Sequence, residues 1–257
     1  MKYIKGISPQ QVHHMRGIDR EGWYQDMDRC WMDTDDGLDI CSRLISTPVG
    51  KIEHVAITKG IESKDPYITW KQRMTVKNDI FGSGKYAIEI YPKSKNLVDM
   101  SDVYHIWVFE KGIKDIFGIK LKKLGSPIET LTEEDREISL VCWSGILSAT
   151  KGVIDAGKYG KVTHLICDTN GENIPWATKW DIKNSIFGED CVAIEILPAS
   201  SSNLDTDKYF HLFAFEESFD IPFGIHPNEY QLSKVIKRGY NFTAEDAKIL
   251  NNYFEGA

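Results

Sequence analysis

The sequence lacks the features that mark several large classes of protein. No run approaches the roughly 18 apolar residues that a membrane-spanning helix needs. Residues Met1–Asp19 are polar and contain no apolar core of a signal peptide. The five cysteines are widely spaced and form no C-x-x-C pair, which argues against a disulfide framework and against a zinc finger. These absences predict a protein of the reducing cytoplasm that makes no contact with a membrane.

Positive charge and catalytic motifs are also scarce. The net charge is −7, whereas a dedicated nucleic-acid binder normally carries a basic surface that neutralises phosphates. There is no phosphate-binding glycine loop, no G-x-S-x-G and no H-E-x-x-H. The acidic stretch Asp33–Gly37 lacks the glutamate that a calcium loop carries at its twelfth position, where Leu44 stands, so we interpret it as a turn.

What the chain does contain is a duplication. Three segments recur at an offset of about 106 residues, as an internal repeat does. The pairs are 77–82 with 183–188, 87–92 with 193–198, and 104–110 with 210–216. We therefore predict two homologous repeats, 1–128 with an N-terminal extension and 129–257 with a C-terminal helix.

Each repeat shows the same order of predicted elements. Apolar runs predict strands at 38–46, 50–57, 86–91 and 103–109, and at 150–154, 160–167, 192–197 and 209–215. One helix lies between them in each repeat, with aromatic side chains on one stripe, and Asp65-Pro66 is its predicted start in the first. The fold class is α+β. Each repeat would form a small, mostly antiparallel sheet with one packed helix, and a pseudo-two-fold axis would relate the repeats.

Histidine and glutamate are the first candidates for a functional site. His54, Glu89 and His105 in the first repeat match His164, Glu195 and His211 in the second. Two histidines and a glutamate could bind a metal or act as an acid–base pair. The alternative is structural: histidines hydrogen-bonded inside the sheet, and glutamates paired with Lys77 or Lys51 and with Lys183 or Lys161. Which metal or cofactor would bind is left open.

Aromatic residues and cysteines are weaker candidates. Trp107, within the aromatic strand 103–109, could stack against a ligand ring, or it could be part of the core. Its counterpart is Phe213, which a core tolerates more easily than a stacking site does. Cys142 and Cys191 could be nucleophiles, although neither has a histidine next to it in sequence.

Each repeat resembles an uncharacterised domain family of bacteriophages and prophages. The family pattern is a Trp-led helix ending in K-x-x-x-F-G, then A-x-E-x-x-P, an H-L-W-like strand and a P-F-G-like turn. The first repeat supplies Trp70, Lys77 to Gly82, Ala87 to Pro92 and His105 to Trp107, and the second supplies the corresponding residues. The second repeat departs from the pattern at Phe213, and the first repeat departs from it at Ile116. The resemblance implies a phage origin and carries no activity with it.

These observations lead to three functional hypotheses. The first is a non-catalytic phage protein in the host cytoplasm that binds a host protein or a small molecule, through the groove between the halves or the aromatic strands, and could inhibit a host defence. The second is a structural component of the virion or its assembly. The third is a metal-dependent or acid–base enzyme using the paired His and Glu sites. The oligomeric state is left open.

Overall fold

The structure is a computed structural model that describes residues 3–7, 29–33, 35–47, 50–59, 67–91, 103–110, 136–142, 145–156, 160–169, 171–200 and 204–215. These residues form eleven strands and two main helices. The strands are β1 (Tyr3–Ile7), β2 (Arg29–Asp33), β3 (Leu38–Thr47), β4 (Gly50–Lys59), β5 (Ala87–Tyr91), β6 (Val103–Phe109), β7 (Arg136–Cys142), β8 (Gly145–Asp155), β9 (Lys161–Asp168), β10 (Val192–Leu197) and β11 (Tyr209–Phe215). The helices are α1 (Trp70–Val76), extended by a π-helical turn over Lys77–Phe81, and α2 (Trp176–Phe187).

All eleven strands belong to one sheet. Their order is β1-β2-β3-β4-β6-β5-β10-β11-β9-β8-β7, and every pairing is antiparallel. From the β5–β10 junction outward, β5, β6, β4 and β3 on one side correspond to β10, β11, β9 and β8 on the other. The expectation of a separate small sheet in each repeat is therefore replaced by a single sheet, because the edge strands β5 and β10 pair with each other.

The two helices begin differently. Thr69 caps α1 in a capping box, with its hydroxyl accepting from the Gln72 amide at 3.2 Å. The predicted start at Asp65-Pro66 lies outside the described residues. Pro175 precedes α2 and gives no side-chain cap. Both helices end at a glycine with positive φ, Gly82 at 107° and Gly188 at 86°, a conformation that favours glycine.

Both helices pack on the same face of the sheet. Ring stacking joins Trp176 of α2 to Tyr91, and an edge contact joins Phe81 to Trp31. The predicted aromatic stripe is confirmed, since its residues pack against the core: Trp70, Met74 and Phe81, with Trp176, Trp180 and Phe187. No helix in the described part of the chain is long and apolar enough to span a membrane.

The strands predicted from apolar runs are present, with bounds that differ by a few residues. Strands β1, β2 and β7 were not predicted. The predicted C-terminal helix lies outside the described residues, so it stays a prediction.

Candidate functional site

The two repeats meet at a pair of buried glutamates. In the register of β5 and β10, Glu89 lies directly opposite Glu195, and both residues are buried. Directly opposed side chains in an antiparallel pair are within reach of each other, and like charges there are destabilising. Each carboxylate therefore needs its own source of positive charge, which the helices above the sheet supply.

Each glutamate forms an ion pair with a basic residue of the helix in its own repeat. Arg73 of α1 donates to both oxygens of Glu89, the second from Nη2 at 3.3 Å, and also to the Ile68 carbonyl. Lys179 of α2 donates to Oε1 and Oε2 of Glu195 at 2.6 and 2.8 Å. Burial raises the pKa of Glu89, and the Arg73 charge opposes that shift.

The basic partners are not the predicted ones. Lys77 and Lys183, one helical turn further on, turn instead to backbone carbonyls at the helix ends. Lys77 Nζ donates to the carbonyls of Lys85 and Pro198 at 2.7 and 2.9 Å, and Lys183 Nζ donates to that of Cys191 at 2.6 Å. Burial lowers the pKa of Lys77 to about 8. In both repeats the lysine of the K-x-x-x-F-G pattern therefore binds the loop that follows its helix, and Lys77 also binds the end of β10 in the second repeat.

The histidines pair with each other within each repeat. In the first, Nε2 of His54 lies 2.9 Å from Nδ1 of His105, and Arg43 Nε donates to Nδ1 of His54 at 3.3 Å. Because an arginine can only donate, the His54 proton is on Nε2 and His105 accepts it. Burial, with the Arg43 charge, lowers the pKa of His105 to about 3, so both rings are neutral at pH 7.

In the second histidine pair the hydrogen bond runs in the same direction, from the histidine of the earlier strand to that of the later strand. Nε2 of His164 lies 3.1 Å from Nδ1 of His211, whose Nε2 donates to the Asp205 carbonyl at 2.9 Å. A carbonyl only accepts, so the proton of His211 is on Nε2 and the proton of His164 points to His211. Burial lowers the pKa of both rings. In each repeat the hydrogen bond occupies Nε2 of one histidine and Nδ1 of the other, so these two nitrogens cannot bind a metal while the bond is made.

The structure does not bring the glutamates to the histidines. Trp107 lies opposite both His54 and Ile88 in neighbouring strands, which places His54 on the same face as Ile88. Side chains alternate along a strand, so Glu89 points to the opposite face, toward the helices. The histidines and the glutamate that could have formed one site therefore lie on opposite faces of the sheet. Among the residues that the structure describes, no group of three His, Cys, Asp or Glu side chains is placed to hold a metal ion.

The aromatic residues beside the histidines are buried. The ring of Trp107 stacks on His54 with centroids 5.0 Å apart, and Phe213 stacks on His164 at 4.3 Å. Both aromatic residues are at most 2% exposed, so in this conformation neither offers a face to a ligand. The Cys191 thiol, one of the candidate nucleophiles, lies within hydrogen-bonding distance of the carbonyls of Val192 and Phe215; the Cys142 side chain lies outside the described part.

Three side-chain contacts join the repeats on the helix side, one of them between corresponding residues. Tyr67 and Asn173, which are about 106 positions apart as in the repeat itself, meet through a 2.8 Å hydrogen bond from Asn173 Nδ2 to the tyrosine oxygen. The Trp70 amide also donates to Asn173 Oδ1 at 3.3 Å. The Tyr91 hydroxyl of the first repeat donates to Glu195 of the second at 2.6 Å.

An open cleft of about 360 Å³ lies at this junction. It is bounded by the start of α1 (Thr69–Lys71), the loop before α2 and the start of β11, and Lys179 and Glu195 line its base. A groove between the halves was expected from the sequence, but its lining residues and the roles of Arg73 and Lys179 were not. The available signal was that Arg73 and Lys179 occupy corresponding positions in the two repeats, four residues before Lys77 and Lys183.

The fold and this junction define a duplicated α+β protein whose two copies share one antiparallel sheet. The family described as "Domain of unknown function (DUF7694)" matches residues 45–111 and 154–217, together about half of the chain. The chain therefore belongs to this family and contains two copies of its domain. No curated protein and no solved structure matches the chain.

Proposed function

We propose that the protein is a non-catalytic binding protein that holds a small molecule in the cleft between its two repeats. The observation that carries this proposal is an open cleft with a charged base, formed by both repeats. Its volume is within the range of about 300–1,000 Å³ that is typical of small-molecule sites. The groove between the halves was one of the two binding surfaces expected from the sequence.

The state of the titratable residues favours binding over catalysis. An acid–base catalyst needs a group that can reach the substrate, whereas the histidines are buried and hydrogen-bonded to each other. Lys179 and Glu195 do line the cleft, but they are paired at 2.6 and 2.8 Å.

The proposal also includes a pseudo-two-fold axis that passes between Glu89 and Glu195 and relates the two repeats. The two glutamates face each other, and so do Tyr67 and Asn173 of corresponding positions. Under such symmetry the original protein would have been a homodimer of one repeat. The cleft would then have arisen when the two copies acquired different side chains at the junction.

The proposal is tested by ligand-observed NMR with a library of polar, metabolite-sized fragments. Thr206→Trp places a large ring at the edge of the cleft and should abolish the signal of a subset of binders. Glu189→Trp, on the exposed turn after α2, is the matched control and should retain them. The same set of binders for all three proteins would contradict the proposal, and so would turnover of a binder by the unmodified chain.

The biological setting stays a prediction from the resemblance. A phage origin, action in the host cytoplasm and inhibition of a host defence would each fit a small-molecule-binding protein. The alternative of a virion component predicts recovery of the chain in purified particles at a fixed stoichiometry. Quantitative mass spectrometry of particles and of infected-cell lysate separates these two settings.

A further inference from the structure

The two tryptophans that begin the helices lie in different surroundings. Trp176 is 5% exposed and stacks on Tyr91 with centroids 5.4 Å apart and 12° between the planes. Its counterpart Trp70 is half-buried and lines the cleft. Leu197 stands 106 residues after Tyr91, at the corresponding position of the second repeat, and has no aromatic ring. The same tryptophan is therefore covered in one half and open in the other.

The rings beside the cleft already contact a cation. Nζ of Lys179 lies 5.0 Å from the Trp70 ring centroid and 5.1 Å from that of Phe210. Both distances are within the 6 Å or so at which an ammonium group is attracted to a ring face. Tyr209, which is half-exposed, adds a third ring to the lining. Arg73 lies 5.7 Å from the Trp70 ring centroid as well, so these rings already have cations of the protein beside them. The rings therefore offer apolar surface to the flat body of a ligand, and an ammonium group of that ligand would have to be bound by carboxylates.

The charges around the cleft also favour a cation. Three carboxylates line it, those of Glu172, Glu195 and Asp207, against the two ammonium groups of Lys71 and Lys179. Lys179 and Glu195 neutralise each other at the base. This leaves two exposed carboxylates, Glu172 and Asp207, against Lys71 at the mouth.

We propose that the cleft binds an organic amine, meaning a ligand in which an ammonium group is attached to a flat apolar or aromatic body. The ammonium group lies toward Glu172 and Asp207, and the flat body lies against Trp70 and Tyr209. This inference rests on the proposed small-molecule function and specifies the class of ligand.

The test compares two probes that share a ring and differ in charge. Isothermal titration of the full chain with tryptamine and with indole-3-propionate should show that the amine binds and that the acid binds at least about tenfold more weakly. The double variant Glu172→Gln and Asp207→Asn should weaken tryptamine binding about tenfold. The double variant Glu189→Gln and Asp190→Asn removes the same charge from an exposed turn and should leave tryptamine binding unchanged.

Each other outcome overturns the inference in a recognisable way. Equal or tighter binding of indole-3-propionate would exclude selectivity for an amine while leaving a small-molecule cleft in place. Tryptamine binding that survives in the Glu172 and Asp207 variant would exclude those carboxylates. If neither probe binds while other fragments remain sensitive to Thr206→Trp, the ligand class is wrong and the proposed function stands. The single variants Glu172→Gln and Asp207→Asn give the same test if the double variant does not fold.

Discussion

The two halves of this molecule place the same residues in corresponding positions but hold them differently. In the first half a guanidinium, that of Arg73, neutralises Glu89 in a fully buried position. In the second half an ammonium, that of Lys179, neutralises Glu195 at the base of an open cleft, and Tyr91 from the first half adds a hydrogen bond. Each half therefore balances its buried glutamate with a basic residue of its own helix, while Trp176 is covered and its counterpart Trp70 lines the cleft.

Acid should lower the free energy of unfolding of both halves, and this is the largest effect that we expect. The four buried histidines have lowered pKa values in the fold, so the unfolded chain binds more protons below its histidine pKa of about 6.5. Their contribution is complete above that pH and is lost as the pH falls toward the folded values. At pH 5 the loss is up to about 2 kcal/mol for a histidine whose folded pKa lies well below 5.

Urea unfolding at pH 7.5 and pH 5 measures this loss. The Arg43 charge also lowers the pKa of His105, whereas the Asp205 carbonyl opposes the lowering at His211. His105→Leu should therefore flatten the pH dependence more than His211→Leu does. Equal unfolding midpoints at the two pH values would contradict the neutral histidine pairs.

Removal of the basic partner of each glutamate should lower the free energy of unfolding by different amounts in the two halves. Arg73→Met leaves Glu89 buried without its cation, at a cost of about 3–5 kcal/mol. Lys179→Met should cost less, because Tyr91 still donates to Glu195 and water can enter from the cleft. Urea unfolding measures both variants, and the double variant Arg73→Met with Glu89→Leu should recover much of the loss. A larger cost for Lys179→Met would reverse the comparison.

Truncation of the two tryptophans tests the same difference in packing. Trp176→Ala removes a buried ring that stacks on Tyr91, and such a change costs about 3–5 kcal/mol. Trp70→Ala removes a half-buried ring, so we expect roughly half that cost. Thermal and urea unfolding of the two variants give the ratio. Equal costs would show that Trp70 is as well covered as Trp176.

The smallest expected effect is that of Tyr91→Phe, which keeps the stacked ring and removes only the hydroxyl. A hydrogen bond to a charged group contributes about 1.5–3 kcal/mol, and the loss here falls at the lower end because Lys179 still neutralises Glu195. Tyr86→Phe, at the partly buried ring just before β5, is the control for loss of a hydroxyl. An unchanged free energy of unfolding for Tyr91→Phe would contradict a stabilising role of the Tyr91–Glu195 hydrogen bond.

Much of the fold could be predicted because the sequence contains each element twice. Apolar runs and the aromatic stripe located most strands and both helices. The pairing of β5 with β10 could not be predicted, because contacts between edge strands are non-local and leave no periodic signal in either strand. The partners of Glu89 and Glu195 were misassigned for a similar reason. Several basic residues lie near each glutamate in sequence, and only the packing of the helix on the sheet shows that Arg73 and Lys179 form the ion pairs.

The candidate site was less predictable than the fold. Histidines on neighbouring strands do come together in pairs, but the alternation of side chains separates them from the glutamates. The cleft combines the start of α1 from the first repeat with the loop before α2 and the start of β11 from the second. Its lining residues are therefore far apart in sequence, and the pattern of neither repeat indicates that they meet.

The most direct measurement is the solvent accessibility of the two helix-leading tryptophans. In NMR spectra of the ¹⁵N-tryptophan-labelled chain, assigned with Trp70→Phe and Trp176→Phe, a soluble paramagnetic agent should broaden the indole resonance of Trp70 strongly and leave that of Trp176 sharp. This result would support one closed half and one open half. Equal broadening of the two resonances, or a protected Trp70, would contradict the asymmetry on which the cleft and its proposed function depend.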